Sequence, residues 1–73
     1  MKVRITKRHI AHGIRRSGTG CPLALALPRD AVVGWPSITA GGVLHRTADA
    51  ARAFIGDFDA GRPVSPGWLT VWE

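Results

Sequence analysis

Residues 37–46 read Ser-Ile-Thr-Ala-Gly-Gly-Val-Leu-His-Arg, two short runs on either side of a glycine pair. A two-residue connection of this kind favours a tight hairpin turn, because glycine readily adopts the positive φ angles that the turn requires. The sequence therefore predicts an antiparallel hairpin with strands at Ser37–Ala40 and Val43–Arg46.

An amphipathic helix is predicted immediately after the hairpin. Thr47 is its predicted N-cap, and Asp49 lies near the positive end of the helix dipole. Gly61 suits the end of this helix, and Pro63 prevents its continuation. The apolar residues that recur at the i, i+3, i+4, i+7 spacing of one helix face are Ala51, Phe54, Ile55 and Phe58.

The N-terminal segment predicts a strand followed by a short helix. Val3 and Ile5 alternate with polar residues, a pattern typical of a strand with one buried face. Thr6 is then the predicted N-cap of a helix over Lys7–His12, with Gly13 at its far end.

A second short helix is predicted over Pro22–Leu27, because proline suits the first helical position and Pro28 stops the helix. Leu23 and Leu27 lie four residues apart and therefore share one helix face. An extended segment, Ala31–Trp35, follows and is ended by the next proline.

This order of elements predicts a single small α+β domain that covers residues 1–73. The expected architecture is a single-layer, mostly antiparallel sheet of about three to five strands, with two or three short helices on one face. A chain of 73 residues buries only about 60% of the surface of its unfolded form, so we expect a thin stability margin.

Composition indicates a folded protein without a disulfide. Apolar residues make up 45% of the chain and charged residues 21%, which is typical of a packed domain. Cys21 is the single cysteine, so no intramolecular disulfide is possible and we expect a cytosolic setting. The run Leu23–Leu27 is shorter than the roughly 20 apolar residues of a membrane span, so no membrane association is expected.

Charge is concentrated in the N-terminal part of the chain. Residues 1–29 contain seven lysines and arginines and no acid, whereas residues 30–73 contain three arginines and five acids, so the two parts carry +7 and −2. Such a distribution favours a polyanion or an acidic protein surface as partner, and a merely solvated basic face is the alternative. The predicted basic face consists of Lys2, Arg4, Lys7 and Arg8.

A glycine-rich basic loop precedes the second helix, and it is the candidate anion-binding site. Its glycines allow positive φ angles, and a helix that begins at Pro22 would direct free N–H groups into the loop, where the two arginines suit phosphate or carboxylate. The loop lacks the Walker A pattern, and a tight structural connection is the alternative. The candidate residues are Arg15, Arg16, Ser17, Gly18, Thr19, Gly20 and Cys21.

Catalytic and metal chemistry have weak support in the sequence. His9, His12, Cys21 and His45 include metal-ligand types, but no pair has a recognised metal-binding spacing. A helix N-terminus and nearby arginines would favour the Cys21 thiolate, yet free cysteines are usually buried, so an N-cap or core role is expected. We therefore predict no catalytic residue, no metal and no cofactor.

The closing strand Trp68–Trp72 predicts an exposed aromatic face. Leu69 and Val71 fall on one side of this strand, and Trp68 and Trp72 fall on the other. Together with Trp35, these tryptophans form the candidate interface, unless they belong to the core. No lysine or arginine neighbours Trp68 or Trp72 in the sequence, which favours a protein interface over base stacking.

Three blocks of the sequence form a recognisable pattern: H-I-x-x-G at 9–13, C-P-[VL]-A-x-A-L at 21–27 and F-D-x-G-[RK]-P-V at 58–64. The pattern resembles that of a family of very small phage and actinobacterial proteins. Some members read C-x-x-C-P, and Gly18 stands here at the first of those positions, which argues against a metal or redox role. The resemblance implies a phage accessory protein in the host cytoplasm, either a host-takeover or anti-defence factor or a virion-associated component.

The leading functional prediction is a non-enzymatic module that binds a host or phage protein or assembles with itself. It would use the tryptophans and the basic N-terminal half. The alternative is an anion-binding protein that grips nucleic acid or a nucleotide at Arg15–Cys21. A cysteine or metal enzyme has the least support.

Overall fold

The computed structural model describes all residues, 1–73, and has an α+β fold, as predicted. All strand pairs are antiparallel. The strands divide into a two-stranded sheet, β1–β5, and a three-stranded sheet, β2–β3–β4, where the sequence predicts a single layer. The elements are β1 Lys2–Ile5, α1 Lys7–His12, α2 Pro22–Ala26, β2 Val32–Val33, β3 Ser37–Ala40, β4 Val43–Arg46, α3 Asp49–Asp59 and β5 Gly67–Thr70.

The hairpin formed by β3 and β4 has the predicted bounds. Gly41 and Gly42 have φ angles of 59° and 76°, the left-handed pair that a type I′ turn requires. Strand β2 extends the hairpin on its other side, where Val32 lies opposite Thr39. The local turn chemistry therefore fixes this part of the fold.

Helix α3 ends as predicted and begins one residue later than expected. Its C-terminus forms a Schellman motif, in which Gly61 (φ 78°) donates to Phe58 and Arg62 donates to Asp57. The prediction that Thr47 is the N-cap is wrong, since Ala48 holds that position. Thr47 is buried, and its hydroxyl instead donates to the Gly34 carbonyl oxygen at 2.7 Å, so a tertiary hydrogen bond takes the place of the cap.

Helix α1 has the predicted bounds and cap. The His9 N–H donates to Thr6 Oγ1 at 3.2 Å, and the Thr6 N–H donates to His9 Nδ1 at 3.0 Å, which forms a reciprocal capping box. Gly13 follows the helix with an ordinary φ of −66°, so it does not provide a left-handed cap. A Cβ atom there would lie 2.7 Å from Pro22 ring carbons, so close packing of α1 on α2 requires the glycine.

One hydrophobic core joins both sheets and the helices. Leu23 and Leu27 of the α2 region are buried as predicted, although α2 itself ends at Ala26. The core is built around Ile5, Leu23, Ile38, Ala51 and Val71, each at most 1% exposed. Because residues from every layer meet there, the exposed faces of the two sheets are held in fixed positions relative to each other.

Candidate interaction surfaces

The tryptophans lie in three different environments. Trp68 on β5 is 71% exposed, and Trp35, which lies near Gly56 of α3, is 56% exposed. Trp72 is half-buried and stacks on His45 with ring centroids 3.8 Å apart and planes 8° from parallel. Trp68 and Trp72 therefore do not form the shared exposed face that the strand pattern predicts.

Trp68 has a basic neighbour that the sequence does not place beside it. In the register of β1 with β5, Arg4 lies directly opposite Trp68, and Lys2 lies opposite Thr70. Directly opposed side chains in an antiparallel pair point to the same face, with Cβ atoms about 5 Å apart. The sequence places no lysine or arginine beside Trp68 along the chain, but the sheet places Arg4 beside it, which removes the ground on which base stacking was disfavoured.

A groove continues this surface toward α1. It has a volume of about 370 Å³, and its wall includes Arg4 and Lys7 from one side and Pro66 and Gly67 from the other. Lys2, Arg4, Lys7 and Trp68 are all exposed. We call these four residues the basic–indole face. Arg8, the remaining residue of the predicted basic face, is also exposed on α1.

The loop Arg15–Cys21 engages a carboxylate of the chain itself. The Arg16 N–H donates to Asp59 Oδ1 at 2.8 Å, and Arg16 has a left-handed φ of 59°. The prediction that the loop glycines supply positive φ angles is therefore wrong. Gly18 and Gly20 instead permit close packing, with built Cβ atoms 3.0 Å from the Val33 carbonyl oxygen and Ser17 Oγ.

Both loop arginines lie near the C-terminus of α3. The Arg15 guanidinium lies against Gly61, 3.3 Å from a Cβ atom built there, beside the C-terminus of α3. Arg16 borders a cavity of about 170 Å³ whose wall also includes Cys21, Trp35 and Asp59. The predicted anion-binding residues therefore form a structured loop in which one amide already binds an acidic side chain.

Cys21 is a core residue at the start of α2. Its side chain is 4% exposed, and it makes no capping hydrogen bond at the start of α2. Burial is the largest influence on the thiol, and it raises the pKa of Cys21 above its ordinary value of 9.0, although the nearby backbone N–H groups of Leu23 and Ala24 oppose this rise. The core role expected from the sequence agrees with this environment.

The histidines are separated by the fold. His9 is held in the α1 capping box and His45 in the stack with Trp72, while His12 is exposed at the end of α1. No group of three or more histidine, cysteine, aspartate or glutamate side chains lies close enough to hold a metal ion.

The three-stranded sheet has an apolar outer face and a free edge. Thr39 lies between Val32 and Leu44 across the strands, and these two are 49% and 70% exposed. Ile38 points to the opposite face and is fully buried. Strand β4 ends the sheet, and its outer backbone groups have no partner, whereas on β2 the Val33 N–H donates a hydrogen bond to the Gly18 carbonyl oxygen. We call Val32, Thr39 and Leu44 the apolar sheet face.

No helix in the structure is long and apolar enough to cross a membrane. Comparisons of the chain with models of protein families, with curated proteins and with solved structures found no match.

Proposed function

We propose that this chain is a non-enzymatic phage accessory protein that assembles with itself, two copies pairing through strand β4. The observation that carries this proposal is a free sheet edge lined by exposed apolar side chains, Val43 at 54% and Leu44 at 70% exposure. Such an edge is a template for another strand unless charged side chains, proline or a bulge protect it, and the one such feature in β4 is Arg46 at its last position. The phage origin is supported by the sequence resemblance alone.

The charges around β4 favour a second copy as the occupant. A two-fold interface brings the same surface of each copy together, so charged groups on that surface repel one another unless both signs are present. A groove of about 560 Å³ beside β4 has Arg46 on its wall together with Asp49 and Glu73. Two copies can therefore place Arg46 of each near an acid of the other, whereas the basic–indole face would repel its own copy.

The size of the molecule also fits this arrangement. A stable interface covers roughly 800 Å² on each partner. The total accessible surface is 4681 Å², so a dimer would cover about a sixth of it. Pairing of β4 with its copy, together with the apolar sheet face, offers backbone hydrogen bonds and apolar burial in one continuous region.

Sedimentation equilibrium over a range of concentrations tests this proposal. We expect a dimer for the unaltered chain and a shift toward monomer for Leu44→Gln, which removes apolar area from β4 without changing net charge. Leu25→Gln is the matched control, because Leu25 is also exposed (41%) but lies on α2. A monomer at every concentration, or equal weakening by both variants, contradicts the proposal.

Anion binding at Arg15–Cys21 is the alternative function, and its support is weaker. An incoming phosphate or carboxylate would compete with the Asp59 carboxylate for the Arg16 N–H. The Arg15 guanidinium lies against Gly61. This alternative stays a prediction of the sequence.

A further inference from the structure

The basic–indole face carries positive charge that the chain does not neutralise. The two ion pairs in the structure join Arg52 to Asp49 and Arg62 to Asp57, and both belong to α3 and the turn after it. None of the cations on the basic–indole face takes part in these pairs, and residues 1–29 contain no acid. The positive potential of this face is therefore available to a partner.

The indole at the centre of this face is also free. The one stacked pair of rings in the structure joins His45 to Trp72, so the Trp68 ring has no aromatic partner. Its exposure of 71% is the highest among the large apolar side chains. Arg4 stands opposite it across the strands, and the groove lined by Arg4 and Lys7 passes beside Gly67, the residue before it.

We propose that the basic–indole face binds single-stranded nucleic acid. An exposed indole can stack on an unpaired base of any sequence, and cations around it can hold the phosphates on either side. Arg4 and Lys7 line the groove in which the phosphate backbone would lie, and Lys2 extends the positive surface along β1. This proposal does not depend on self-assembly, because it uses β1, α1 and β5 and not β4.

The composition of the face favours nucleic acid over an acidic protein. Protein interfaces are usually enriched in aromatic residues and arginine but depleted in lysine, so the two lysines of this face carry the distinction. Here Arg4 lies opposite Trp68, Lys2 lies two residues further along β1, and Lys7 shares the groove with Arg4, while Val3 and Ile5 of β1 face the core. Duplex nucleic acid fits less well, because its bases are already stacked on one another and offer no face to the indole.

Fluorescence anisotropy with a labelled oligothymidylate tests the proposal. We expect binding that weakens steeply with salt, and roughly tenfold lower affinity for Trp68→Ala, because stacking on an aromatic ring accounts for about a tenfold factor or more per base. Trp68→Phe keeps a ring and should recover part of that loss. Trp35→Ala is the matched control, since Trp35 is also exposed but lies near α3.

Charge variants distinguish binding at this site from a general attraction of nucleic acid to a basic protein. Arg4→Ala should weaken binding and lower the slope of log affinity against log salt by about one. Arg29→Ala removes the same charge elsewhere and should have a smaller effect. With an oligonucleotide too short to reach two faces, Leu44→Gln should leave binding intact, so the outcome of this experiment is independent of the outcome of the dimer experiment.

Several outcomes would overturn the proposal. They are no binding by the unaltered chain, equal losses for Trp68→Ala and Trp35→Ala, equal losses for Arg4→Ala and Arg29→Ala, and a duplex that binds more tightly than the single strand. Polyglutamate that binds as tightly as the oligonucleotide, with the same loss on Trp68→Ala, would identify an acidic protein as the partner instead.

Discussion

At the scale of single residues, Gly13 and Gly56 differ in whether the structure has room for a side chain. A Cβ atom at Gly13 would lie 2.7 Å from Pro22 ring carbons and 2.9 Å from Phe58 Cζ, both on buried rings. A Cβ atom at Gly56 would meet the Trp35 ring at 3.6 Å, an ordinary contact, and Gly56 lies inside α3.

Alanine at these two positions should therefore change stability in opposite directions. We expect Gly13→Ala to lower the free energy of unfolding by about 2 kcal/mol, because the rings must move to admit the methyl group. Gly56→Ala should raise it by about 1 kcal/mol, because alanine has the higher helix propensity. Urea denaturation measures both, and a neutral Gly13→Ala would show that the α1–α2 contact is loose.

At the scale of elements, the hairpin turn contains a position, Gly41, at which a substitution should stabilise the fold. Gly41 has a φ of 59°, and a Cβ atom there would meet nothing within 4 Å. Asparagine tolerates this conformation and restricts the unfolded chain, so Gly41→Asn should raise the free energy of unfolding by about 0.5 kcal/mol. Gly41→Val should lower it by about 1 to 2 kcal/mol, since a β-branched residue resists positive φ. Thermal unfolding of the two variants measures this, and a loss for asparagine would contradict the assigned turn.

Elements with local signals could be predicted from the sequence. The hairpin turn depends on Gly41 and Gly42, and the end of α3 depends on Gly61, so neighbours along the chain are sufficient for both. Thr47 could not be assigned from the sequence, because its hydroxyl can either cap a helix or donate to a distant carbonyl oxygen. In the fold it donates to the Gly34 carbonyl oxygen. The pairing of Arg4 with Trp68 could not be predicted, because no local pattern sets the register of strands at opposite ends of the chain.

At the scale of the whole molecule, the two proposed surfaces lie on different sheets. The dimer would use β4, and the nucleic acid would use β1 and β5 with α1. A dimer would therefore present two basic–indole faces, and a strand long enough to reach both would bind more tightly than one face allows. The separation of charge along the chain, +7 in residues 1–29 and −2 in residues 30–73, is consistent with this division.

The two sheets are joined at Val71, so we expect them to unfold together. Its N–H donates to the Met1 carbonyl oxygen and its carbonyl accepts from the Ala48 N–H, both at 2.9 Å, and its side chain is fully buried. Val71→Ala should cost about 2 kcal/mol through lost burial and a cavity. Val43→Ala, measured at concentrations at which the chain is monomeric, is the matched control and should have little effect, because Val43 is 54% exposed.

Hydrogen exchange distinguishes a shared core from two independent sheets. If Val71 couples them, Val71→Ala lowers the protection of β1–β5 amides and of β3–β4 amides by the same factor, since both exchange through global unfolding. A domain of 73 residues is expected to have a free energy of unfolding of roughly 4 to 11 kcal/mol, so the Val71→Ala variant should stay folded and its amide protection can be measured. Faster exchange in β1–β5 alone would mean that the three-stranded sheet and α3 remain folded without it, and the basic–indole face would then be the less stable of the two surfaces.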